Sequence, residues 1–361
     1  MSRRARGRGP RRPSTRPDPP VPGPPPRVRA PPVPSAPLAP RPGSWLWTCR
    51  AGFEPHLFEE LAWQGVRPRL LGPALVEADR PAKSLPVFGR MGFEVAQVLT
   101  EPLADVEPGR ISEALARAAP RQNLEVQAWT PDSDDAHRWT GLAESLGQRL
   151  RGLLPSPTGP APWLAQVCVL GPSLAAVGAV AWRDAVSRAP GGRERQRREA
   201  FAPSRAALKL EEALQGYGLS PARGDLCVDL GAAPGGWTAR LVARGARVIA
   251  VDPASLTPDL TRHPGIRHVR ASAFSFEPPE PADWLFCDMA WRPLEVAQLL
   301  AKWGRRGWAV HLCANLKLPM KDKNPLIHRA RAILGAGWDE LRVRQLYHDR
   351  DEVTVTAHRR G

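Results

Sequence analysis

No apolar run in the 361 residues approaches the ~20 needed to cross a bilayer, so the chain reads as a soluble protein with no membrane partner. Cysteine is scarce. The five (Cys49, Cys168, Cys227, Cys287 and Cys313) lie far apart and never form a C-x-x-C pair, which argues against a disulfide framework or a zinc site and fits a reducing cytoplasm. Acidic residues are outnumbered: 36 Asp and Glu against 51 Lys and Arg leave a net charge of +15 at pH 7. A field of that sign attracts polyanions and makes nucleic acid the first partner to consider. The length suggests about two domains of ~100–200 residues.

The excess charge is unevenly placed. Residues 1–43 hold 15 of the 42 prolines, with ten arginines against one aspartate, so nine of the fifteen net charges sit there. The expectation is a disordered Arg/Pro-rich arm, with too little apolar surface to offset the entropy of ordering. From Ser44 the periodicity of Trp45–Arg50, Glu54–Trp63, Leu124–Ala128 and Trp139–Leu154, followed by apolar runs at Trp163–Leu170 and Ala175–Trp182, indicates an α+β module over residues 44–187. Residues 188–199, rich in Gly and Arg, read as a linker. Over residues 200–361 strands and helices alternate. Cys227–Leu230, Arg247–Val251, Ile266–Val269, Trp284–Cys287 and Ala309–Leu316 are the expected strands of a Rossmann-like α/β parallel sheet. Leu341–Leu346 and Val353–Thr356 follow with a short turn between them, which makes the last strand antiparallel.

The most informative string is Asp229-Leu-Gly-Ala-Ala-Pro-Gly-Gly-Trp-Thr238, a glycine turn directly after a buried strand and opening a helix. It has neither the G-x-G-x-x-G order for a dinucleotide pyrophosphate nor the G-K-[ST] ending of a P-loop. A cofactor without phosphates is preferred. Asp252 ends the next strand, near the ~20-residue spacing at which a carboxylate meets ribose hydroxyls, so an adenosine fits. This is the pattern that class I S-adenosylmethionine-dependent methyltransferases show, and the chain resembles them over residues 204–357. After the fourth strand stands Phe286-Cys-Asp288-Met-Ala, without the D-P-P-Y or N-P-P-Y motif of amino-group methyltransferases. Cys287 lacks the Pro-Cys context of cytosine C5 enzymes and reads as a small core residue.

Of the 51 basic residues only six are lysines: Lys83, Lys209, Lys302, Lys317, Lys321 and Lys323. Guanidinium stays protonated, whereas an amine can lose its proton when buried or crowded by another cation, so lysines kept in motifs are candidate bases. The order Lys209, Asp288, Lys317, Glu352 resembles the tetrad of the FtsJ-like RNA 2′-O-methyltransferases. Ala202–Glu212, the Pro-Gly-Gly-Trp-Thr turn, Cys287-Asp-Met289, Asn315–Lys321 and Arg344–Val355 are similar to the RlmM family of 23S rRNA cytidine 2′-O-methyltransferases. Cys49-Arg-Ala-Gly-Phe-Glu54 and the α+β pattern resemble that family's THUMP-containing, RNA-binding N-terminal region.

The resemblance implies methyl transfer from S-adenosylmethionine to a cytidine 2′-hydroxyl, in 23S rRNA or a precursor large-subunit particle, with no stable protein partner. Lys317 would remove the hydroxyl proton while Lys209, Asp288 and Glu352 place and polarise the group. Ser204, Ala233, Pro234, Gly235, Gly236, Asp252 and Asp288 would hold the cofactor. A second cation at Lys209, with burial, would depress the Lys317 pKa, and the carboxylates would oppose that shift. Where the family carries an acidic residue toward the adenine amino group, this chain has Ser272. The alternatives are a catalytically silent rRNA-binding or assembly factor on the same scaffold and a tRNA methyltransferase.

Overall fold

A computed structural model describes residues 23–119, 124–153, 163–194 and 205–359. Two seven-stranded sheets organise them. The first is built from β1 (Trp45–Thr48), β2 (Pro68–Gly72), β3 (Leu75–Ala78), β4 (Met91–Leu99), β5 (Leu124–Trp129), β6 (Trp163–Gly171) and β7 (Leu174–Ala181). Its order is β2-β3-β1-β4-β7-β6-β5, antiparallel except for the β5/β6 pair. The helices α1 (Glu54–Trp63), α2 (Pro108–Ala118), α3 (Asp134–His137) and α4 (Thr140–Arg151) accompany it. Alternation along β5 turns Leu124, Val126 and Ala128 to one apolar cluster and Trp129 to another on the opposite face, and the Leu146/Leu150 stripe of α4 is buried, as period-2 and period-3.6 patterns require.

The second sheet follows α5 (Arg205–Tyr217). Its strands are β8 (Leu226–Leu230), β9 (Arg247–Val251), β10 (Ile266–Val269), β11 (Ala282–Cys287), β12 (Ala309–Lys317), β13 (Asp339–Arg344) and β14 (Glu352–His358). Between them run α6 (Gly236–Ala243), α7 (Pro258–Thr261), α8 (Pro293–Arg306) and α9 (Lys323–Gly335). The order is β10-β9-β8-β11-β12-β14-β13, and only β14 opposes the others. This is the expected Rossmann-like α/β sheet. Its direction of growth reverses between β8 and β11, so a crevice opens at their carboxyl ends, where ligands of such sheets bind. The near-continuous burial of β8, β9 and β11 reflects cover on both faces.

One apolar cluster runs from Trp47, Phe53 and Leu57 to Leu285, Leu312 and Val355, joining both sheets through a shared core. Polar ties reinforce the joint. The Gln345 N–H donates to Val87 O at 2.8 Å, and Asn324 Nδ2 donates to His56 O and Glu59 Oε2 at 2.8 and 2.9 Å.

Two boundaries read from composition change. Residues 23–43 are not part of a free arm. Trp63 Nε1 donates to Pro26 O at 2.9 Å, Leu38 N–H to Leu71 O at 2.7 Å and Arg41 N–H to Glu77 Oε1 at 2.6 Å, while Ala30 and Val33 pack on the core. Proline has little backbone freedom to lose, so three such bonds and some apolar contact suffice to hold the segment. The remainder of the expected arm, residues 1–22, lies outside the described residues. The expected linker is likewise packed as far as it is described: Gly191 and Gly192 are buried against Trp129 and Arg90, and Arg193 donates to Thr130 O at 2.8 Å. Residues 195–199 lie outside the described residues. Among those described, no helix is long and apolar enough to cross a membrane.

Candidate active site

Five parallel strands end on one edge of the second sheet, and their carboxyl ends carry the candidate residues. β8 ends in the glycine turn, β9 in Asp252, β10 in the loop with Ser272, β11 in Asp288 and β12 in Lys317. β14 runs the other way, so its first residue, Glu352, comes to the same edge, directly opposite Lys317 in the ladder.

The structure brings together four residues named from sequence. Lys317 Nζ donates to Asp288 Oδ1 at 3.1 Å and also to Glu352 Oε2. The other oxygen of Glu352 is paired with Lys209 Nζ from α5, so one carboxylate joins two amines. Trp237 at the start of α6 fixes α5 through a 2.7 Å bond from its indole N–H to Ala206 O, three residues before Lys209. The side chain of Glu352 is 6% exposed and that of Lys317 34%. Burial raises the Glu352 pKa, but the two lysines outweigh it and hold the group below the usual carboxylate range. For Lys317, burial pulls down, and Asp288 with Glu352 pulls up more strongly, so its pKa is raised. The sequence-based balance therefore resolves in favour of the carboxylates. Glu352 sits between the two amines and screens the repulsion expected from Lys209.

A second pair lies one pleat further along the same two strands. Asn315 and Lys317 are two residues apart and share a face, as do Glu352 and Thr354, and Asn315 faces Thr354 in register. Asn315 Nδ2 donates to Asp288 Oδ1 at 3.1 Å, and Thr354 Oγ1 donates to Asn315 Oδ1 at 2.8 Å. Asp288 is thus held by two donors. This contact of Asn315 was overlooked by the motif reading; its two-residue spacing from Lys317 was the available signal. The segment leading into Glu352 is anchored from several sides. Glu212 accepts the N–H groups of Tyr347 and His348, and Asp349 O accepts from Arg50 Nη1 at 2.9 Å.

Around the glycine turn the carboxylates converge. Asp252 accepts the N–H groups of Ala233 at 3.1 Å and Ala254 at 2.8 Å, tying the turn to the end of β9. Asp229, fully buried, accepts from Thr238 Oγ1 at 2.6 Å. Burial first, with the nearby Asp288 and Asp252 adding to it, pushes its pKa up to about 6. Gly231 has φ +75°, and a Cβ there would come 2.3 Å from Met289 Cγ. Only glycine lets the end of β8 lie so close to the segment after β11. Three carboxylates around a close-approach turn repel phosphate and suit a ligand with cationic centres and hydroxyls. That acceptor set fits S-adenosylmethionine. Pro234, Gly235 and Gly236 complete the turn, with Gly235 at φ +116° capping α6.

Ser272 does not supply an acidic group. It is exposed, and its hydroxyl accepts from the Phe274 N–H at 3.3 Å within its own turn. Ser204 lies outside the described residues. Cys287 is fully buried, and burial raises its thiol pKa to about 12, which makes it a core residue rather than a nucleophile.

Sheet order, glycine turn and carboxylate set define an S-adenosylmethionine-dependent methyltransferase of the Rossmann-like class. Residues 202–314 match the FtsJ-like methyltransferase family. Over nearly full length the chain is 36% identical to Ribosomal RNA large subunit methyltransferase M of Xylella fastidiosa (strain M12), covering 86% of this chain and 97% of that one. It is 35% identical to the protein of the same name in Halorhodospira halophila, covering 87% and 96%. The chain belongs to the ribosomal RNA large subunit methyltransferase M family.

Proposed function

We propose that this methyltransferase modifies the ribose 2′-hydroxyl of a cytidine in 23S rRNA, free or in a precursor large-subunit particle, with Lys317 as general base. The relatives' name supports a large-subunit rRNA substrate. The observation that carries the 2′-O reading is the pair of amines joined through Glu352, with Asp288 also on Lys317. A hydroxyl acceptor needs a base aimed at its proton. The buried thiol of Cys287 and the lack of a D-P-P-Y or N-P-P-Y string leave base carbon and base nitrogen less well served.

S-adenosylmethionine supplies a methyl group already activated on a sulfonium. Ala233, Pro234, Gly235 and Gly236 would line its approach, Asp252 would accept from its ribose hydroxyls, and Asp288 would face its cationic end. Ser272 stands at the adenine side without an acid. Ser204 would belong to this set.

Lys317 takes the hydroxyl proton at Nζ, so it must first be neutral. At rest the raised pKa keeps it charged. Its exposed third opens a path for that proton to water. A docked ribose closes the exposure, and the added desolvation drives the amine toward its neutral form. Lys209, on the second oxygen of Glu352, offsets part of that carboxylate's charge and so loosens its hold on Lys317. Glu352, Asp288 and Asn315 aim Nζ, and alignment of this kind supplies much of the rate. The module over residues 44–187 would hold the RNA by shape and phosphate contacts, as a THUMP-like unit.

Transfer of label from S-adenosylmethionine into rRNA of a strain lacking the enzyme, followed by mapping of the labelled nucleotide, tests the reading. A 2′-O-methylcytidine is expected; label on a base overturns it. Lys317→Ala should abolish transfer and leave S-adenosylhomocysteine affinity nearly intact, and unchanged turnover would remove the base.

A further inference from the structure

Among the described residues only two Phe, Tyr or Trp side chains are exposed, Trp291 at 53% and Phe274 at 38%, and they touch each other, with ring centroids 5.7 Å apart. Both lie at the active edge. Trp291 is three residues beyond Asp288, within roughly 11 Å of chain, and Phe274 is two residues beyond Ser272 in the segment that crosses from β10 to β11. Chance exposure of aromatics would scatter them; here they meet on the segments that leave the carboxyl ends of β10 and β11.

The platform is also held in place. The Trp291 indole N–H donates to Glu295 Oε2 at 2.7 Å, and its backbone N–H donates to Met289 O at 3.0 Å. Phe274 is fixed by the Ser272 turn, and Phe276, two residues on, stacks on buried Trp303 at 6.3 Å. Exposed Arg270 and Arg292 lie on the same two loops, Arg292 with its guanidinium on Glu295 Oε1 at 3.0 Å and Arg270 bonded to Ser255 Oγ at 2.9 Å. An apolar ring kept rigid in water, with guanidinium groups on the loops that carry it, suits a partner with a π-face and a phosphate.

We infer that Trp291 and Phe274 form a stacking platform for an RNA base next to the methylated ribose, with Arg270 and Arg292 meeting the adjoining phosphates. The inference rests on RNA being the substrate. The same ring chemistry would suit the adenine of the cofactor, and the arms of the experiment separate the two. Single-stranded RNA is held in this way because every base offers a face, so the platform would position the strand rather than select the sequence.

The test uses the full chain, large-subunit rRNA and S-adenosylhomocysteine. Trp291→Ala should raise the KM for rRNA about tenfold, the weight of one base–aromatic stack. Trp291→Phe should restore most of it, and both variants should bind S-adenosylhomocysteine like the parent in calorimetry. Irradiated rRNA carrying 5-iodocytidine should crosslink to Trp291 or Phe274. An unchanged KM, or crosslinks confined to other peptides, overturns the inference. A loss of S-adenosylhomocysteine affinity matching the rise in KM gives the platform to the adenine and overturns it as well. Label mapped to a base while the crosslink persists would refute the 2′-O reading and leave the platform standing.

Discussion

Glu352→Gln isolates the charge that the proposed mechanism depends on. The substitution keeps the shape and removes one negative charge from between two amines. A unit pair about 4 Å apart in a medium of effective dielectric 20 is worth about 4 kcal/mol. Lys317 is one-third exposed and shares the carboxylate with Lys209, so screening and competition reduce the effect to about 1–2 kcal/mol, or roughly one pH unit. The sign follows from the base role. Turnover rises with pH until Lys317 is neutral, and Asp288 and Glu352 hold that limb on the alkaline side in the parent. Without the Glu352 charge, burial and Lys209 act less opposed, and the limb moves toward acid by about one pH unit. The plateau falls because Nζ is less well aimed. The assay is kcat between about pH 6 and 10 at saturating rRNA and S-adenosylmethionine, with S-adenosylhomocysteine affinity measured at each pH to keep binding apart from chemistry. A limb that stays put, or moves toward alkali, refutes Lys317 as the titrating base.

Asp229→Asn should stabilise the protein at pH 8. The folded pKa of about 6 lies above the unfolded value, so the parent loses stability as pH rises from about 4 through 6, by about 3 kcal/mol at most, and the variant should lack that slope in thermal melts without cofactor. Asn315→Ala removes the 3.1 Å bond to Asp288 and should lower kcat about tenfold or more while the fold persists, as near-ultraviolet circular dichroism would check; full activity would deny it a positioning role. Deleting residues 1–22 removes seven arginines and one aspartate. If these meet RNA phosphates, the slope of log affinity against log salt should flatten by up to about 5, and an unchanged slope would leave the arm without that role.

The glycine turn and Asp252 were legible because their signals are local: a buried strand, a turn whose residue types are forced, and a carboxylate at the next strand end. The tetrad was legible only through family resemblance, since Lys209 and Glu352 reach Lys317 by long-range packing. Even then the balance of charge was hidden. Two lysines in motifs suggest mutual repulsion, and the register of β12 on β14 shows a carboxylate placed between them. Residues 23–43 misled for a different reason. Composition counts apolar surface and not backbone freedom, and a proline-rich segment needs few contacts to stay in place.

The antiparallel strand is where fold and chemistry meet. Every parallel strand delivers its carboxyl end to the active edge, so an acid or amine carried there by one of these strands must end or follow it. Glu352 begins one. Because β14 runs against its neighbours, its first residue arrives at that edge inside a paired ladder, with Lys317 opposite and Thr354 bonded to Asn315 one pleat further in. A parallel strand in that place would bring Glu352 to the far end of the sheet, and the two amines would face each other without a counter-charge. The reversal noted from a short turn in the sequence is thus what lets two lysines share one site.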